Sequence, residues 1–243
     1  MEQNSVIIDL RDISFSYRGG RPVLDRCSFR LHRGERVGIV GSTGSGKTTL
    51  FSLIMGLLQP GGGTIELFGK RVEKEKDFAE ARRRIGLLFQ DADDQLFSPT
   101  VLEDVAFGPL NLGKSPEEAA AKARETLASL GLSAFEDRVT YRLSGGEKTL
   151  VSLAGVLAME PEILLLDEPT NGLDEAAEEK LVSALLALEH SRVTISHNLD
   201  FLAKVADKVY ILKEGALSPG EALVPHAHVH IHRSGDIPHE HDH

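Results

Sequence analysis

Residues 37–49 contain a lysine followed by two threonines, directly after a loop with three glycines. From Gly41 to Thr48 the spacing is G-x-x-x-x-G-K-T, the pattern of a loop that binds phosphate groups. Glycine lets successive backbone N–H groups turn inward, and the N-terminus of the following helix adds a positive dipole. A glycine-rich turn without a ligand is the alternative, which the strand–loop–helix context disfavours. We therefore predict a nucleotide site.

The residues of this loop have separate parts in such a site. Lys47 would reach the β- and γ-phosphates, and the Thr48 hydroxyl would bind Mg²⁺. The backbone of the loop would cradle the phosphates. The predicted nucleotide-binding residues are Gly41, Ser42, Thr43, Gly44, Ser45, Gly46, Lys47, Thr48 and Thr49.

Two acidic side chains, Asp167 and Glu168, follow a continuous apolar run at residues 163–166. Such a run is typical of a parallel strand buried on both faces, so the acids would lie at its carboxyl end, beside the phosphate loop. In phosphate-loop ATPases the first acid holds Mg²⁺ and a neighbouring carboxylate polarises the attacking water. An acidic helix N-terminus is the alternative, and the upstream phosphate loop weakens it.

Residues 144–147 and His197 are two further candidates for functional positions. Ser144 and Glu147 have the spacing of a capping box, which predicts the start of a helix. Gly145 and Gly146 between them are costly in a helix but leave open backbone that can approach a phosphate. A purely structural cap is the alternative, and the residues alone leave both open. His197 follows a predicted strand, and its place at the carboxyl end favours a functional role.

Composition restricts the class of protein. The chain has 243 residues, of which 41% are hydrophobic, enough for a packed core. Its net charge of −10 disfavours a nucleic-acid partner. The single cysteine, Cys27, excludes an internal disulfide framework and fits a reducing cytosol. Because the sequence shows neither an apolar run of about 18 residues nor a secretory signal, we expect a soluble, cytoplasmic protein.

Hydrophobic periodicity predicts an alternation of strands and helices, as in an α/β core. Predicted strands span residues 6–17, 27–31, 63–68, 85–89, 162–168, 192–196 and 208–212. Predicted helices span residues 72–84, 116–130, 145–159, 175–190 and 199–206, and the helix after the phosphate loop ends near residue 58. Residues 90–109 are expected to form a loop and then an apolar segment, broken at Pro99 and Pro109. A mostly helical insertion at about residues 91–159 would interrupt the core.

The motifs stand in an order that resembles the nucleotide-binding subunits of ATP-binding-cassette (ABC) transporters, over residues 6–215. The order is the phosphate loop, a loop glutamine at Gln90, a Leu-Ser-Gly-Gly signature at residues 143–146, Asp167 with Glu168, a turn that ends at Asp174, and His197. The resemblance implies an α/β fold with a phosphate-loop (RecA-like) core, an N-terminal antiparallel β subdomain and an inserted helical subdomain. It also implies ATP and Mg²⁺ as cofactors and ATP hydrolysis as the activity.

The resemblance assigns a role to several residues. In the family two subunits pack head to tail, so that ATP lies between one phosphate loop and the partner's signature. Ser144, with Gly145 and Gly146, would then contact the γ-phosphate bound by the other chain. Glu168 would be the general base, and His197 would hold the γ-phosphate and the attacking water.

Three more roles follow from the same resemblance. Asp174 would link the two ATP sites across the dimer, and Gln90 would couple Mg²⁺ and the water to a membrane partner. Tyr17 would stack on adenine, with an ordinary strand aromatic as the alternative. Glu147 stands where the family more often has glutamine, which could alter the contacts of the signature helix.

Residues 90–113 resemble the ATPases of energy-coupling-factor importers, which take up vitamins and transition-metal ions. In that group the stretch after the glutamine forms a short helix along a groove, in which a coupling helix of the transmembrane partner docks. The alternative is that its apolar side chains merely pack the helical lobe. The expected docking residues are Leu96, Phe97, Val101, Val105 and Phe107.

Residues 226–243 contain seven of the ten histidines, several of them at alternate positions. Alternate residues of an extended chain face one side, and neutral imidazole binds nickel, cobalt and zinc. An artificial tag is the alternative, which the interspersed residues disfavour. The predicted transition-metal ligands are His226, His228, His230, His232, His239, His241 and His243.

Together these features predict the ATPase subunit of a cobalt or nickel importer at the cytoplasmic face of the membrane. We expect a homodimer that works with a transmembrane coupling subunit and a metal-specific membrane subunit. The alternatives are a vitamin-type energy-coupling-factor ATPase and a soluble regulatory or assembly ATPase. The predicted domains are an ABC ATPase domain at residues 6–220, with its helical subdomain at about 91–159, and a histidine-rich tail at 221–243.

Overall fold

The structure is a computed structural model that describes residues 5–220. In this range the strands are β1 (Val6–Ser16), β2 (Pro22–His32), β3 (Arg36–Val40), β4 (Gly62–Leu67), β5 (Lys70–Arg71), β6 (Ile85–Leu88), β7 (Ile163–Asp167), β8 (Ser191–Ile195), β9 (Lys208–Lys213) and β10 (Ala216–Pro219). The α-helices are α1 (Lys47–Ile54), α2 (Glu75–Arg82), α3 (Val101–Asn111), α4 (Pro116–Ser129), α5 (Gly145–Leu157), α6 (Glu175–Leu186) and α7 (Leu199–Val205).

An antiparallel sheet in the order β2-β1-β4-β5 forms the N-terminal part of the fold. In β2 the buried residues Cys27, Phe29 and Leu31 alternate with exposed polar ones, as in a strand with one face on a core. That face packs with α1 and the apolar residues of β3 in one hydrophobic cluster. The sheet therefore covers the helix that begins at the phosphate loop.

The second sheet has the order β10-β9-β3-β8-β7-β6, in which the strands from β9 to β6 are parallel and β10 is antiparallel. Every residue of β7 and β8 is buried, in agreement with the apolar run that predicted a strand covered on both faces. Parallel strands end at the same edge, so the segments that follow β3, β8, β7 and β6 lie side by side. The predicted α/β fold with an antiparallel subdomain is confirmed.

The helical insertion contains α3, α4 and α5, which share a second hydrophobic cluster with α6 and α7. Helix α3 corrects the expectation from periodicity for residues 90–109, a loop and then an apolar segment with breaks at Pro99 and Pro109; only the importer resemblance implies a short helix after Gln90. Thr100, directly after Pro99, is the N-cap and forms a capping box with Glu103, so that the helix begins at Val101. Pro109 lies in the last turn, where its missing N–H removes a single helical hydrogen bond.

Helices α1 and α6 end about four residues earlier than predicted. Helix α1 ends at Ile54, not near residue 58, because Gly56 adopts φ 68° and a Cβ there would lie 2.3 Å from the Phe78 ring. Helix α6 ends at Leu186, four residues before the predicted end at 190. Strand β10 was not predicted, and its pairing with β9 closes one end of the sheet.

Candidate active site

The phosphate loop follows β3 and opens into α1 in the conformation that its glycines require. Gly44 and Gly46 have φ values of 79° and 103°, and Gly46 is the N-cap of α1. A Cβ on Gly41 would lie 2.6 Å from the backbone oxygen of Leu212 in β9. The loop therefore needs glycine at these positions for its shape, whether or not a ligand is bound.

Lys47 points back over the loop that precedes it. Only 7% of the residue is exposed, and its Nζ donates hydrogen bonds to the backbone oxygens of Gly41 at 2.8 Å and Ser42 at 3.3 Å. The same Nζ lies 3.3 Å from His197 Nε2 and 3.9 Å from Glu168 Oε1. A single positive charge thus joins the loop to the residues after β7 and β8, where an anionic phosphate would bind.

Glu168 and His197 form the second half of this cluster. His197 Nε2 lies 3.0 Å from Glu168 Oε1, and the His197 backbone N–H donates to Glu168 Oε2 at 3.0 Å. Glu168 Oε1 is buried without a well-aligned hydrogen bond, so it keeps capacity to accept a proton. Glu168 also has φ 47°, an uncommon left-handed conformation for a residue other than glycine.

Asp167 and Thr48 have the chemistry of a Mg²⁺ site. Asp167 is 4% exposed, and its Oδ1 has no hydrogen-bond partner in the described structure. Burial raises the pKa of Asp167, although the Thr48 side chain and Lys47 act in the opposite direction. A buried, unsatisfied carboxylate oxygen beside a hydroxyl suits a hard cation that takes oxygen ligands. These two residues therefore fit the ion that the sequence predicted.

Tyr17 lies just after β1, at the mouth of the phosphate loop. Its hydroxyl is 3.1 Å from Thr49 Oγ1, and its ring contacts Phe15 edge-on with 4.9 Å between the centroids. The residue is still 52% exposed. A ring that is fixed at its edge and at its hydroxyl, with a free face, can stack on a planar base.

Gln90 and Asp174 are not part of this cluster. Gln90 follows β6 at the same edge of the sheet, is exposed, and makes no side-chain hydrogen bond or ion pair within residues 5–220. Asp174 is the N-cap of α6, where its carboxylate accepts from the Ala177 backbone N–H at 2.8 Å. The structure thus gives Asp174 a local role and leaves Gln90 free to contact something else.

The signature residues lie apart from the phosphate loop of the same chain. Ser144 caps α5 in the predicted capping box, in which its N–H donates to Glu147 Oε2 at 2.8 Å. No hydrogen bond or ion pair in the described range joins Ser144, Gly145 or Gly146 to residues 41–48. Within the described residues, the signature turn is therefore not joined to the phosphate loop of its own chain.

The two signature glycines differ in their surroundings. A Cβ on Gly146 would lie 2.4 Å from Ala177 Cβ in α6, whereas a Cβ on Gly145 would have as its nearest neighbour the Gly172 oxygen at 3.6 Å. Gly146 is therefore explained by helix packing, which the sequence did not indicate. Gly145 is exposed and has room beside it, so it is the glycine that fits the interpretation of open backbone.

The expected docking residues separate into two groups. Phe97 and Phe107 are 64% and 44% exposed and contact each other edge-on at 4.6 Å. Leu96 is half-buried beside them. Val101 and Val105 are fully buried in the core of the helical lobe, so the alternative of internal packing holds for these two. The predicted docking surface is thus reduced to Leu96 and the two phenylalanines.

Asn198 is a positioning residue that the sequence analysis missed. Its Oδ1 accepts from the Phe201 N–H at 2.9 Å as the N-cap of α7, and its Nδ2 donates to Glu178 Oε2 at 3.0 Å. These bonds fix the residue next to His197 between α6 and α7. An asparagine directly before a predicted helix is an N-cap signal that could have identified it.

A buried lysine over a glycine loop, a carboxylate that can accept a proton and a site suited to Mg²⁺ define a phosphate-loop ATPase. Residues 24–171 match the family model described as ABC transporter. The chain is 44% identical to the cobalt import ATP-binding protein CbiO of Rhodobacter capsulatus, over 89% of this chain and 79% of that protein. It is also 44% identical to the energy-coupling factor transporter ATP-binding protein EcfA of Methanothermobacter thermautotrophicus, over 87% of this chain and 69% of that protein. The chain belongs to the ABC transporter ATPases, and within them to the energy-coupling-factor type.

Two solved structures support this assignment. The first is cbiO1 of Clostridium perfringens, part of the complex cbiONQ, which matches with a TM-score of 0.80 and 34% identity over 88% of this chain and 87% of that chain. The second is a dimer of the ATP-binding cassette MJ0796 with ADP and phosphate, with a TM-score of 0.80 and 28% identity over 90% of this chain and all of that chain. The predicted family and ATPase activity are confirmed.

Proposed function

We propose that this ATPase drives the uptake of a transition-metal ion, cobalt or nickel, as the energy-coupling subunit of a membrane importer. The observation that carries the proposal is the exposed pair Phe97–Phe107 on the helical lobe, joined edge-on and accessible to a partner. Both rings line a cavity of about 120 Å³, whose other lining residues are Gln95, Leu96, Asp104, Gly108, Val151, Ser152, Gly155 and Met159. An apolar helix face of a transmembrane coupling subunit fits such a surface.

Each residue of the cluster has a task in hydrolysis. The loop N–H groups and Lys47 bind the ATP phosphates, and Tyr17 stacks on the adenine. Glu168 takes the proton of the attacking water at Oε1, and His197 holds the γ-phosphate and that water in position. Bound Mg²⁺ would neutralise phosphate charge, and Thr48, Asp167 and Gln90 are the residues that would hold it.

A complete ATP site requires two chains. Because Ser144 lies apart from the phosphate loop of its own chain, the site closes when a second copy places Ser144, Gly145 and Gly146 on the γ-phosphate. Asp174, two residues after the Gly172 oxygen that neighbours Gly145, would link the two sites. The dimeric cassette with ADP and phosphate supports this arrangement. Gln90 is exposed between the core and the helical lobe, and it transmits the closure of the ATP site to the membrane partner.

The histidine-rich tail supports a metal as the transported substrate. His226, His228, His230, His232, His239, His241 and His243 lie outside the described residues, and the tail is proposed from its sequence to bind incoming metal. Within residues 5–220, no group of three or more His, Cys, Asp or Glu could hold a metal ion.

The proposed domains are residues 6–220, with the helical subdomain at about 91–159, and the tail at 221–243.

The proposed location is the cytoplasmic face of the membrane, held there by a transmembrane coupling subunit and a metal-specific membrane subunit. Among the described residues, the helices are too short or too polar to cross a bilayer. A coupling helix would meet the cavity beside Phe97, and attachment would depend on that surface.

Uptake in membrane vesicles that contain the chain and its membrane subunits tests the proposal. Vesicles loaded with ATP should accumulate labelled cobalt or nickel, and Glu168→Gln should reduce accumulation about 10²-fold or more, as expected for loss of a general base. Phe97→Ser should release the chain from the membrane subunits without loss of ATP binding. Leu57→Ser, which is similarly exposed at 58% on the other lobe, is the matched control.

The same vesicles separate the alternatives. Uptake of a labelled vitamin instead of either metal would identify the vitamin-type importer. A chain that hydrolyses ATP but never co-purifies with a membrane subunit would be a soluble regulatory ATPase. Deletion of residues 226–243 should lower the number of metal ions bound per chain in calorimetry, and unchanged binding would refute the proposed role of the tail.

A further inference from the structure

Arg138 lies beside the signature turn and has no task in the function proposed above. Its guanidinium donates a hydrogen bond to Glu147 Oε1 at 2.7 Å. The other oxygen, Glu147 Oε2, accepts from the Ser144 backbone N–H at 2.8 Å. One carboxylate therefore joins Arg138 to the residue that caps α5.

Arg138 is itself held in place from two sides. Its guanidinium carbon lies 4.4 Å from the centre of the Phe135 ring, a cation–π distance. Its backbone oxygen accepts from the N–H of Val101, the first residue of α3, at 3.0 Å. The Phe135 ring therefore helps to hold the guanidinium beside the signature turn, in addition to the Glu147 carboxylate.

Glu147 creates an electrostatic conflict at this turn. A carboxylate in the first turn stabilises a helix, but here it lies on the turn that must receive the anionic phosphates of ATP. The Ser144 hydrogen bond and the nearby Arg138 lower the pKa of Glu147, so the carboxylate is charged at neutral pH. A glutamine could cap Ser144 without that charge, so a glutamate at this position needs a cation beside it.

We propose that Arg138 is a positioning residue for the signature turn. It neutralises the Glu147 carboxylate and holds it as the cap of Ser144, so that ATP bound by a second chain can approach. This inference rests on the proposed contact between Ser144 and the partner chain's nucleotide. The side chains of Arg138 and Glu147 are 43% and 30% exposed, so their ion pair contributes little to folding stability.

Steady-state ATP hydrolysis by the full chain tests the role of Arg138. Arg138→Met keeps the aliphatic stem against Phe135 and removes the charge. It should raise the KM for ATP about three-fold, the size expected for one unpaired charge at a helix terminus, with Tm and kcat nearly unchanged. Glu147→Gln leaves the Arg138 charge unpaired and should lower the KM for ATP about three-fold. The double variant should have a KM close to that of the unchanged chain, because no unpaired charge remains.

Arg124→Met is the matched control for this experiment. Arg124 pairs with Glu136 at 2.9 Å in the same lobe, with side-chain exposures of 52% and 29%. Its loss should leave the KM for ATP unchanged, because that pair lies away from the signature turn. A rise in KM for Arg124→Met equal to that for Arg138→Met would overturn the proposal.

Ser144→Asp separates this inference from the two-chain site on which it rests. Aspartate caps a helix as well as serine does, so the variant should fold, but its charge should repel the phosphate and abolish hydrolysis. Full activity of Ser144→Asp would refute the two-chain site itself. An inactive Ser144→Asp together with an unchanged KM for Arg138→Met, or a double variant that is not rescued, would refute only the role of Arg138.

Discussion

Alanine at position 146 should destabilise the protein, whereas alanine at position 145 should not. The Cβ of the first variant would lie 2.4 Å from Ala177 Cβ, but the Cβ of the second would lie 3.6 Å from its nearest neighbour, the Gly172 oxygen. Because carbon atoms in contact need about 3.5–4.0 Å, α5 and α6 would have to separate by about 1 Å or more in Gly146→Ala.

The magnitude follows from two opposing contributions. An extra methyl group in a packed interface costs about 1–3 kcal/mol, and alanine in place of glycine in a helix returns about 0.5–1 kcal/mol. A contact of 2.4 Å is a severe overlap, so the cost lies in the upper part of its range, at about 2–3 kcal/mol, and the net loss for Gly146→Ala is about 1–2.5 kcal/mol. In a protein of this size about 1 kcal/mol shifts Tm by about 2–4 °C, so the expected decrease is about 2–10 °C. Gly145→Ala gains helix stability without the clash, so its Tm should equal that of the unchanged protein or be slightly higher.

Thermal unfolding of both variants without nucleotide measures this difference directly. The comparison is internally controlled, since the two positions are neighbours in the same turn and receive the same methyl group. Equal Tm values for the two variants would refute the packing explanation of Gly146. Both glycines would then have to be explained by the ligand that the turn receives.

Four further substitutions test other parts of the structure. Phe107→Ser should abolish co-purification with the membrane subunits at almost unchanged Tm, whereas Val101→Ala, in the core, should lower the free energy of unfolding by about 2 kcal/mol in urea. Burial raises the pKa of Asp104 above its ordinary value of 3.8, so the stabilising contribution of its protonated form is present in acid and is lost as pH rises through the folded pKa. Asp104→Asn should therefore be more stable than the natural chain at pH 7, with a difference that shrinks towards pH 3; a constant difference would contradict this. Arg192→Met should lower the free energy of unfolding in urea by about 2–4 kcal/mol. The reason is that this fully buried side chain donates hydrogen bonds to backbone oxygens at the ends of α6 and α7. An unchanged unfolding midpoint would contradict this account.

Much of the candidate site could be predicted from the sequence because its elements are determined locally. The glycine spacing of residues 41–48 specifies a strand, a loop and a helix, and the apolar run before Asp167 specifies a strand covered on both faces. The contact of Lys47 with Glu168 and His197 could be predicted from the sequence only in part. It depends on the strand order β3-β8-β7, which results from long-range pairing that no local pattern encodes.

The helical lobe was harder to predict, and its errors are related. Two prolines near the ends of α3 hid from the local pattern a helix that a capping box at Thr100 starts. The importer resemblance implies a short helix after Gln90 but not its bounds, so the period of 3.6 residues could not be applied to its apolar side chains. Val101 and Val105 are four residues apart and share the buried face, whereas Phe107 lies on another face. All three therefore looked alike in the sequence and differ in the structure.

The left-handed backbone at Glu168 has a consequence for the history of such chains. Glycine or asparagine would adopt φ 47° at lower cost, so selection for stability alone would replace the glutamate. A gene copy released from the need to hydrolyse ATP should therefore drift towards those residues at position 168 and become more stable as it loses activity. The residue found there distinguishes copies that still turn over ATP from copies kept only for their shape.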